Sequence, residues 1–514
     1  MQINVLEYLQ RTSIRLSEHE AVAAADARVS FSALVGLAHA LSLRIRREAG
    51  VENQPIAVLA DKSCQAIVAI LAVLMSGNIY CPLDPKSPPA RLARIVAKLG
   101  SGMLLYQRAK RAVLEQMGGA VGVPLEMEEI AGQLSRLGPV DLEALWADIA
   151  RHLARRIDSD PCYVIFTSGS TGEPKGVTIA HRSVIDYIDW AVACYGVTDA
   201  ERIGNQAPLF FDNSTLDLYL CFATGACLHI VPEALFSFPL RLMQFLDQEG
   251  ISTIFWVPSV LINVANTGVL DELRPRHLRK VLFAGEVMPV RQLNHWIERL
   301  PQALFSNLYG PTEITVDCTY FMLDGPYAGN SLPIGYPCRN SDVLVLGEDG
   351  RQVGAEQAGE LCVRGNSLAL GYWNDPERSA AVFVQNPAHR NYRDLVYRTG
   401  DLVRRDERGC IFFIGRKDQQ IKLHGYRIEL GEIESAALRM DAIESCCAVL
   451  DRARERICLV VQGADRLDPG ELRRCLADTL PKYMLPAEIR IVAAMPLTAN
   501  GKIDRQKLLE LVGA

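Results

Sequence analysis

One stretch, YVIFTSGSTGEPKGV from Tyr163 to Val177, restricts the possible folds more than any other part of the chain. Tyr163 to Phe166 are apolar and β-branched or aromatic, which predicts a short buried strand. The six small residues that follow, Thr167, Ser168, Gly169, Ser170, Thr171 and Gly172, break that pattern. The two glycines permit a tight or left-handed backbone, and the four hydroxyls can hydrogen-bond an oxyanion. A strand feeding such a loop presents clustered N–H groups and hydroxyls, which suits phosphate, and Lys175 behind Pro174 adds a positive charge. The P-loop pattern requires Ser or Thr directly after the lysine, whereas Gly176 follows here. A flexible Ser/Gly linker is the alternative, and the adjoining buried strand argues against it.

A chain of 514 residues is too long for one compact core and predicts two or more domains. Net charge of −6 and a pI near 5.9 argue against nucleic acid or an anionic membrane as partner. The fourteen cysteines are scattered, without a paired metal-type spacing, and read as reduced thiols. The start MQINVLEYLQ has no basic region or apolar core of a leader, and no apolar run reaches membrane-spanning length, so the expected location is cytoplasmic.

Strand and helix patterns alternate from the amino end: a hairpin at Val29–Ser32, a helix over Ala33–Arg47, a strand at Ile56–Leu59 and an amphipathic helix over Cys64–Met75. Residues 107–160 read as mostly helical. Further strands are predicted at Asn205–Phe211, Cys227–Val231, Thr253–Val257, Val281–Ala284 and Ala303–Leu308, a pattern of helix-covered parallel sheets. From about 330 short strands with glycine turns suggest a small barrel or distorted sheet, and residues 419–514 carry a compact α+β pattern that includes a helix over Ile428–Met440. The expected class is therefore α/β, with a large N-terminal domain (1–417) of helix-covered sheets plus a small β-barrel-like subdomain, and a small mobile α+β domain (418–514) at the carboxyl end.

Four further segments carry chemistry. NLYGPTE (Asn307–Glu313) is a strand end turning through Gly310 and Pro311, able to set an aromatic ring, a hydroxyl and a carboxylate around one ligand. YRTGD (Tyr397–Asp401) and GRKD (Gly415–Asp418) offer a carboxylate for vicinal hydroxyls and a guanidinium for ribose or phosphate oxygens. In FDNSTL (Phe211–Leu216), Asp212 is either a helix cap or a buried acid awaiting a cation. Lys502, in TANGKID, reads by itself as a solvated lysine.

These motifs, in this order, resemble the adenylate-forming enzymes, specifically the amino-acid adenylation domains of nonribosomal peptide synthesis, and within them the stand-alone D-alanine:carrier-protein ligases, whose texture FDxSxxDLY, GEVxP and QIKLHGYR is matched. The resemblance implies that Thr167–Gly172 and Lys175 hold the phosphates of ATP, that Tyr309 stacks on adenine with Asn307 at the purine edge and Gly310 in the turn, and that Asp401 and Arg416 hold the ribose. Phe413 stands where relatives often have a tyrosine touching the ribose. Thr312 is implied to contact phosphate and Glu313 to hold Mg²⁺, since a carboxylate beside polyphosphate is otherwise repulsive. Asp212 is implied to bind the substrate α-ammonium, in a pocket lined by Asn213, Leu216, Phe255, Leu282, Ala284, Gly285, Leu308, Val316 and Asp317. The bulk of Phe255, Leu216 and Leu308 predicts a small amino acid; alanine leads, and Asn213 and Asp317 keep serine, glycine or a small diamino acid open. Lys502 is implied to bridge the substrate carboxylate and the α-phosphate, Asp418 to be the hinge, and Lys422 and Gly425 to line a thiol-transfer site.

The expected reaction is attack of the amino acid on ATP to give an aminoacyl adenylate, followed by transfer to a phosphopantetheine thiol. Because no carrier signature follows Lys502, the expected acceptor is a separate carrier protein or a small thiol. Two other readings stand beside it: a CoA ligase of the same fold for an acid without an amine, which Asp212 argues against, and a non-catalytic adenylate-binding protein.

Overall fold

The structure, a computed structural model, describes residues 2–50, 52–118, 122–169, 173–417, 420–440, 442–463, 468–496 and 503–513. Its large N-terminal part is built on two sheets. Seven strands form the first, in the order 371–372, 175–180, 161–167, 79–83, 55–59, 103–107, 123–127; the last five are parallel neighbours, and the hairpin 161–180 closes the other side. The second has nine strands, six of them mutually parallel, with Leu304–Tyr309 and Lys280–Ala284 side by side. Helices cover both, and Cys64–Met75 lies buried along its whole length, as a helix apolar on all sides must.

The sequence-predicted strands at 56–59, 163–166, 227–231, 253–257, 281–284 and 303–308 form within two residues of those limits. The segment Asn205–Phe211 does not. Its strand is Arg202–Asn205, after which Pro208 cannot donate to a ladder and accepts a turn bond from Phe211 N–H. The amino-terminal hairpin pairs Glu20–Ala23 with Arg28–Ser30, and Phe31 already opens the helix, with Ser30 accepting the N–H of Ala33 as its cap. Within 107–160 lies a strand, Val123–Met127, that helical patterning missed.

Residues 341–416 form a bulged antiparallel sheet, one of the two forms expected for the β-rich segment. Residues 420–513 make a smaller domain with cores of their own: a hairpin (Gln420–Leu423 with Tyr426–Glu429) and a three-stranded sheet flanked by helices. The expected helix Ile428–Met440 begins only at Leu430, because Ile428 pairs with Ile421 in the hairpin. All fourteen cysteines are free thiols. Among the described residues no helix is long and apolar enough to cross a membrane.

Candidate active site

The glycine–serine loop joins two antiparallel strands, with Thr167 opposite Lys175 at its base. Of its residues, Ser170, Thr171 and Gly172 lie outside the described residues; Ser168 and Gly169 do not. A Cβ on Gly169 would sit 2.1 Å from the carbonyl oxygen of Glu173, so only glycine fits. Thr167 Oγ1 is buried with no hydrogen-bond partner among the described residues; such an orphan points to a missing ligand. Lys175 is buried and turns inward, its Nζ 3.1 Å from Glu313 Oε1.

Asn307, Leu308 and Tyr309 end a central strand of the nine-stranded sheet. The Tyr309 hydroxyl donates to Asp401 Oδ2, and Arg416 Nη1 donates to Asp401 Oδ1 at 2.6 Å. Tyr309, Asp401 and Arg416, expected at the adenine and ribose, are thus one connected group. Asn307 spends its amide on Pro333 O at 2.8 Å. The turn beyond is tight: a Cβ on Gly310 would lie 2.2 Å from Val316 O. Thr315 and Val316 have φ of 57° and 71°, an arrangement that costs on the order of 1–3 kcal/mol per residue and clusters at functional sites.

Strain here brings Thr312, Glu313, Val316 and Asp317 to the cleft. Glu313 is fully buried. It accepts from Tyr372 OH (2.8 Å) and pairs with Lys175 at Oε1, and it accepts from Arg427 Nη1 (2.6 Å) at Oε2. Burial opposes its ionisation, but Arg427 and Lys175 outweigh that and hold its carboxyl well below the usual range. The magnesium expected there does not fit this arrangement: three donors stand against the carboxylate, and two of them, Lys175 and Arg427, are cations.

Asp212 occupies the cap position of the helix Asn213–Thr224 yet makes no capping bond through its side chain. Its carboxyl is buried, and burial raises its pKa while Thr312, Lys422 and Arg427 pull it back, so its neighbours are those of the cleft. Leu216, Phe255, Leu282, Ala284, Leu308 and Val316 are all buried within the large apolar core of the N-terminal part. Asn213 is half-buried at the helix start, and Gly285 adopts φ +101° beside Val257. Asp317 accepts from the Tyr187 hydroxyl at 2.6 Å, and burial raises it to about 7.

From the small domain, the hairpin turn His424–Gly425, with φ of 51° and 81°, enters the same cleft. Gly425 N–H donates to Glu286 Oε1 at 2.8 Å, and Lys422 Nζ stands 5.6 Å from the Tyr309 ring centre. Behind it, Ser168 Oγ donates to Arg427 O at 2.7 Å, Gly169 N–H donates to Glu432 Oε2 at 3.3 Å, and Arg91 pairs with Glu432. Asp418 and Lys502, the expected hinge and catalytic lysine, lie outside the described residues. Ile503 packs with Cys447, Val449 and Val460 on one face of the three-stranded sheet, whereas hairpin residues Ile421, Leu423 and Tyr426 pack with Cys446, Ala448 and Leu459 on the other.

Sequence reasoning missed Arg91, Tyr187, Tyr372, Arg427 and Glu432. Only Arg427 had a local signal: it directly follows the singled-out loop Leu423–Tyr426, in GYRIE.

Comparison with known proteins identifies the family. The AMP-binding enzyme family matches residues 9–373, and the AMP-binding enzyme C-terminal domain matches residues 432–502. Tyrocidine synthase 3 of Brevibacillus parabrevis is 31% identical over 506 residues, covering 98% of this chain and 8% of its own length. The chain thus spans less than a tenth of that relative. In fold, it is similar to the Vibrio cholerae adenylation domain AlmE, solved with glycyl-adenosine-5'-phosphate (TM-score 0.85, 22% identity, 100% of this chain and 98% of that one). It is also similar to holo-PA1221, a nonribosomal peptide synthetase protein containing adenylation and PCP domains (TM-score 0.81, 26% identity, 99% and 84%). The chain belongs to the AMP-binding enzyme family, as an adenylation domain of the nonribosomal peptide synthetase type, an AMP-forming ligase that activates an amino acid.

Proposed function

We propose that this domain activates a small amino acid, alanine before serine, glycine or a small diamino acid, and passes it to the phosphopantetheine thiol of a separate carrier protein. One observation carries the reading: Asp212 is a buried carboxylate at a helix start, spared from capping, in the cleft that holds Tyr309, Asp401 and Glu313. A buried carboxylate without a fixed cation is costly, and an incoming α-ammonium supplies the partner. An acid without an amine would leave that cost unrelieved.

A carboxylate is already nucleophilic, so activation needs positioning and charge neutralisation rather than a general base. Tyr309, Asp401 and Arg416 orient the nucleoside. Thr167 and the glycine–serine loop receive the phosphates, and Lys175 supports the leaving group. Lys502 is assigned to the charge developing between the substrate carboxylate and the α-phosphate, with Asp418 as the hinge between domains 1–417 and 418–514. The bulk of Phe255, Leu216 and Leu308 among the expected lining residues favours a small substrate. Asp317 already has a partner in Tyr187, so it demands little from a substrate side chain and suits a small neutral one. For the second half-reaction, a cavity of about 480 Å³ beside the hairpin, lined by Asp84, Lys86, Leu209, Phe210, Tyr426 and Tyr483, supports entry of an extended thiol-bearing arm.

ATP–pyrophosphate exchange with both enantiomers of alanine and serine, glycine, small diamino acids, and fatty and aryl acids tests this. Exchange driven by a small amino acid is the expected result. Exchange driven by fatty or aryl acids alone, or by no acid at all, overturns it.

A further inference from the structure

Near the hairpin edge of the nine-stranded sheet, side chains of a different kind converge. Cys227 and His229 alternate along the strand Cys227–Ile230 and so share one face, with Leu228 on the other. The neighbouring strand pairs Val22 with Leu228, and strict alternation would send Glu20 to the face of Val22. The register of the hairpin slips between Glu20 and Val22, and this bulge re-aims Glu20 at Cys227, whose thiol donates to Glu20 Oε1 at 3.4 Å. The ligand atoms of Glu20, Cys227 and His229 all lie within 4.8 Å of one another, and Glu249 Oε2 stands 3.5 Å from His229 Nδ1. One thiol, one imidazole and two carboxylates make a donor set suited to a borderline-soft ion such as zinc.

Two guanidiniums complete the group. Arg28 bridges the acids, with Nη1 3.0 Å from Glu20 Oε1 and Nη2 2.7 Å from Glu249 Oε2, and half of its side chain is exposed. Arg202 Nη1 donates to His229 Nε2 and to Glu249 O, each at 3.2 Å. Because a guanidinium only donates, Nε2 accepts and the imidazole proton sits on Nδ1.

We propose that Glu20, Cys227 and His229, with Glu249 as the fourth ligand, bind a zinc ion that takes the place of Arg28. The charges close in both forms. Two carboxylates against two guanidiniums are neutral, and so are two carboxylates and a thiolate against zinc and Arg202. The Cys227 S–H bond breaks as the sulfur–zinc bond forms, and its proton passes to water. The imidazole proton moves to Nε2 while zinc takes the Nδ1 lone pair, and Arg202 keeps Glu249 O as its acceptor. No electron changes hands, and Arg28 swings into solvent. The bound ion ties the amino-terminal hairpin Glu20–Ser30 to Cys227–Ile230 and to the turn that leads into Thr253–Trp256.

Cobalt, a spectroscopic stand-in for zinc, tests this on the untagged full chain without nucleotide or amino acid. One cobalt per chain should bind with a thiolate-to-cobalt charge-transfer band, and zinc, the tighter binder of the two, should abolish the band by displacement. Cys227→Ser should lose the band. His229→Gln should bind at least about tenfold more weakly, since even the outer partners of a metal site are worth that much. Arg28→Met should bind about tenfold tighter, the factor lost when the arginine holds the site about nine-tenths of the time. A missing band in the unmodified protein, a band retained by Cys227→Ser, or equal or weaker binding by Arg28→Met overturns the proposal. On the unmodified protein, zinc should slow hydrogen exchange across Glu20–Ser30; unchanged or faster exchange overturns the proposal even if no variant folds.

Discussion

Asp212 and Asp217 lie on one stretch of chain, both buried, and serve different ends. Asp212, assigned to the substrate α-ammonium, makes no capping bond through its side chain, so Asp212→Asn should raise the KM for the amino acid far more than that for ATP. Removing one member of a buried charge pair costs on the order of 2–5 kcal/mol, about 30-fold to several-thousand-fold. Equal effects on both substrates in pyrophosphate exchange would show that Asp212 does not face the amine. Asp217 accepts from Asn205 Nδ2 at 2.8 Å, yet burial raises it to about 7, with Asn205 and Lys62 pulling the other way. Its folded pKa therefore lies above the unfolded value of about 4. The folded state keeps a proton that the unfolded chain has lost, so the contribution is complete below pH 4 and drains away as pH rises to 7. Asp217→Asn should accordingly raise the melting temperature at pH 8, with a ceiling of about 4 kcal/mol from three units at 1.36 kcal/mol each, and the gain should shrink toward pH 4. A difference that does not vary with pH would contradict this.

Among the elements, the turn Gly310–Asp317 concentrates the most strain. Gly310→Ala forces a Cβ to within 2.2 Å of a carbonyl oxygen, and backbone cannot yield as a flexible side chain can. We expect a loss of at least about 2 kcal/mol in denaturant unfolding, together with weaker ATP binding, because Tyr309 and Glu313 flank the same turn. Unchanged stability would mean that the turn relaxes. Elements of this kind differ in how far sequence reveals them. The limits of the helix Cys64–Met75 were legible because Ser63 and the Ser76–Gly77 pair bound it, whereas the expected amphipathic character was not found, since every residue of it is buried. The strand Val123–Met127 was not legible, since it is short, its first two residues are exposed and Pro124 argues against a strand. Leu395–Arg405 carries arginines along an eleven-residue strand, which blurs the apolar signal. In the site, motifs on single segments were readable, but pairs across segments were not. Arg91 and Glu432 are 341 positions apart, and each looks like an ordinary charged residue at a helix start. No periodicity encodes such a meeting; only the folded sheets bring it about.

At the scale of the whole molecule, the charged and polar contacts that hold the small domain include Arg91–Glu432, Arg427–Glu313, Glu286 on Gly425 N–H and Ser168 on Arg427 O, beside the ring contact of Phe211 with Tyr426. Such joints are specific yet sensitive, because losing one partner strands a buried charge at a cost of about 3–5 kcal/mol. Arg91→Met should therefore loosen the small domain without unfolding the large one, which limited proteolysis would register as faster cleavage between residues 405 and 442 at an unchanged melting temperature of the larger part. Cleavage at the original rate would show that Arg91 does not anchor the domain. The two-sided sheet of the small domain carries a last implication. The turn at His424–Gly425 belongs to one side and the chain end at Ile503 to the other, like the two faces of a coin laid over a single opening. With the proposed hinge at Asp418, turning the small domain would exchange one side for the other at that opening, so groups on the two sides would take turns there.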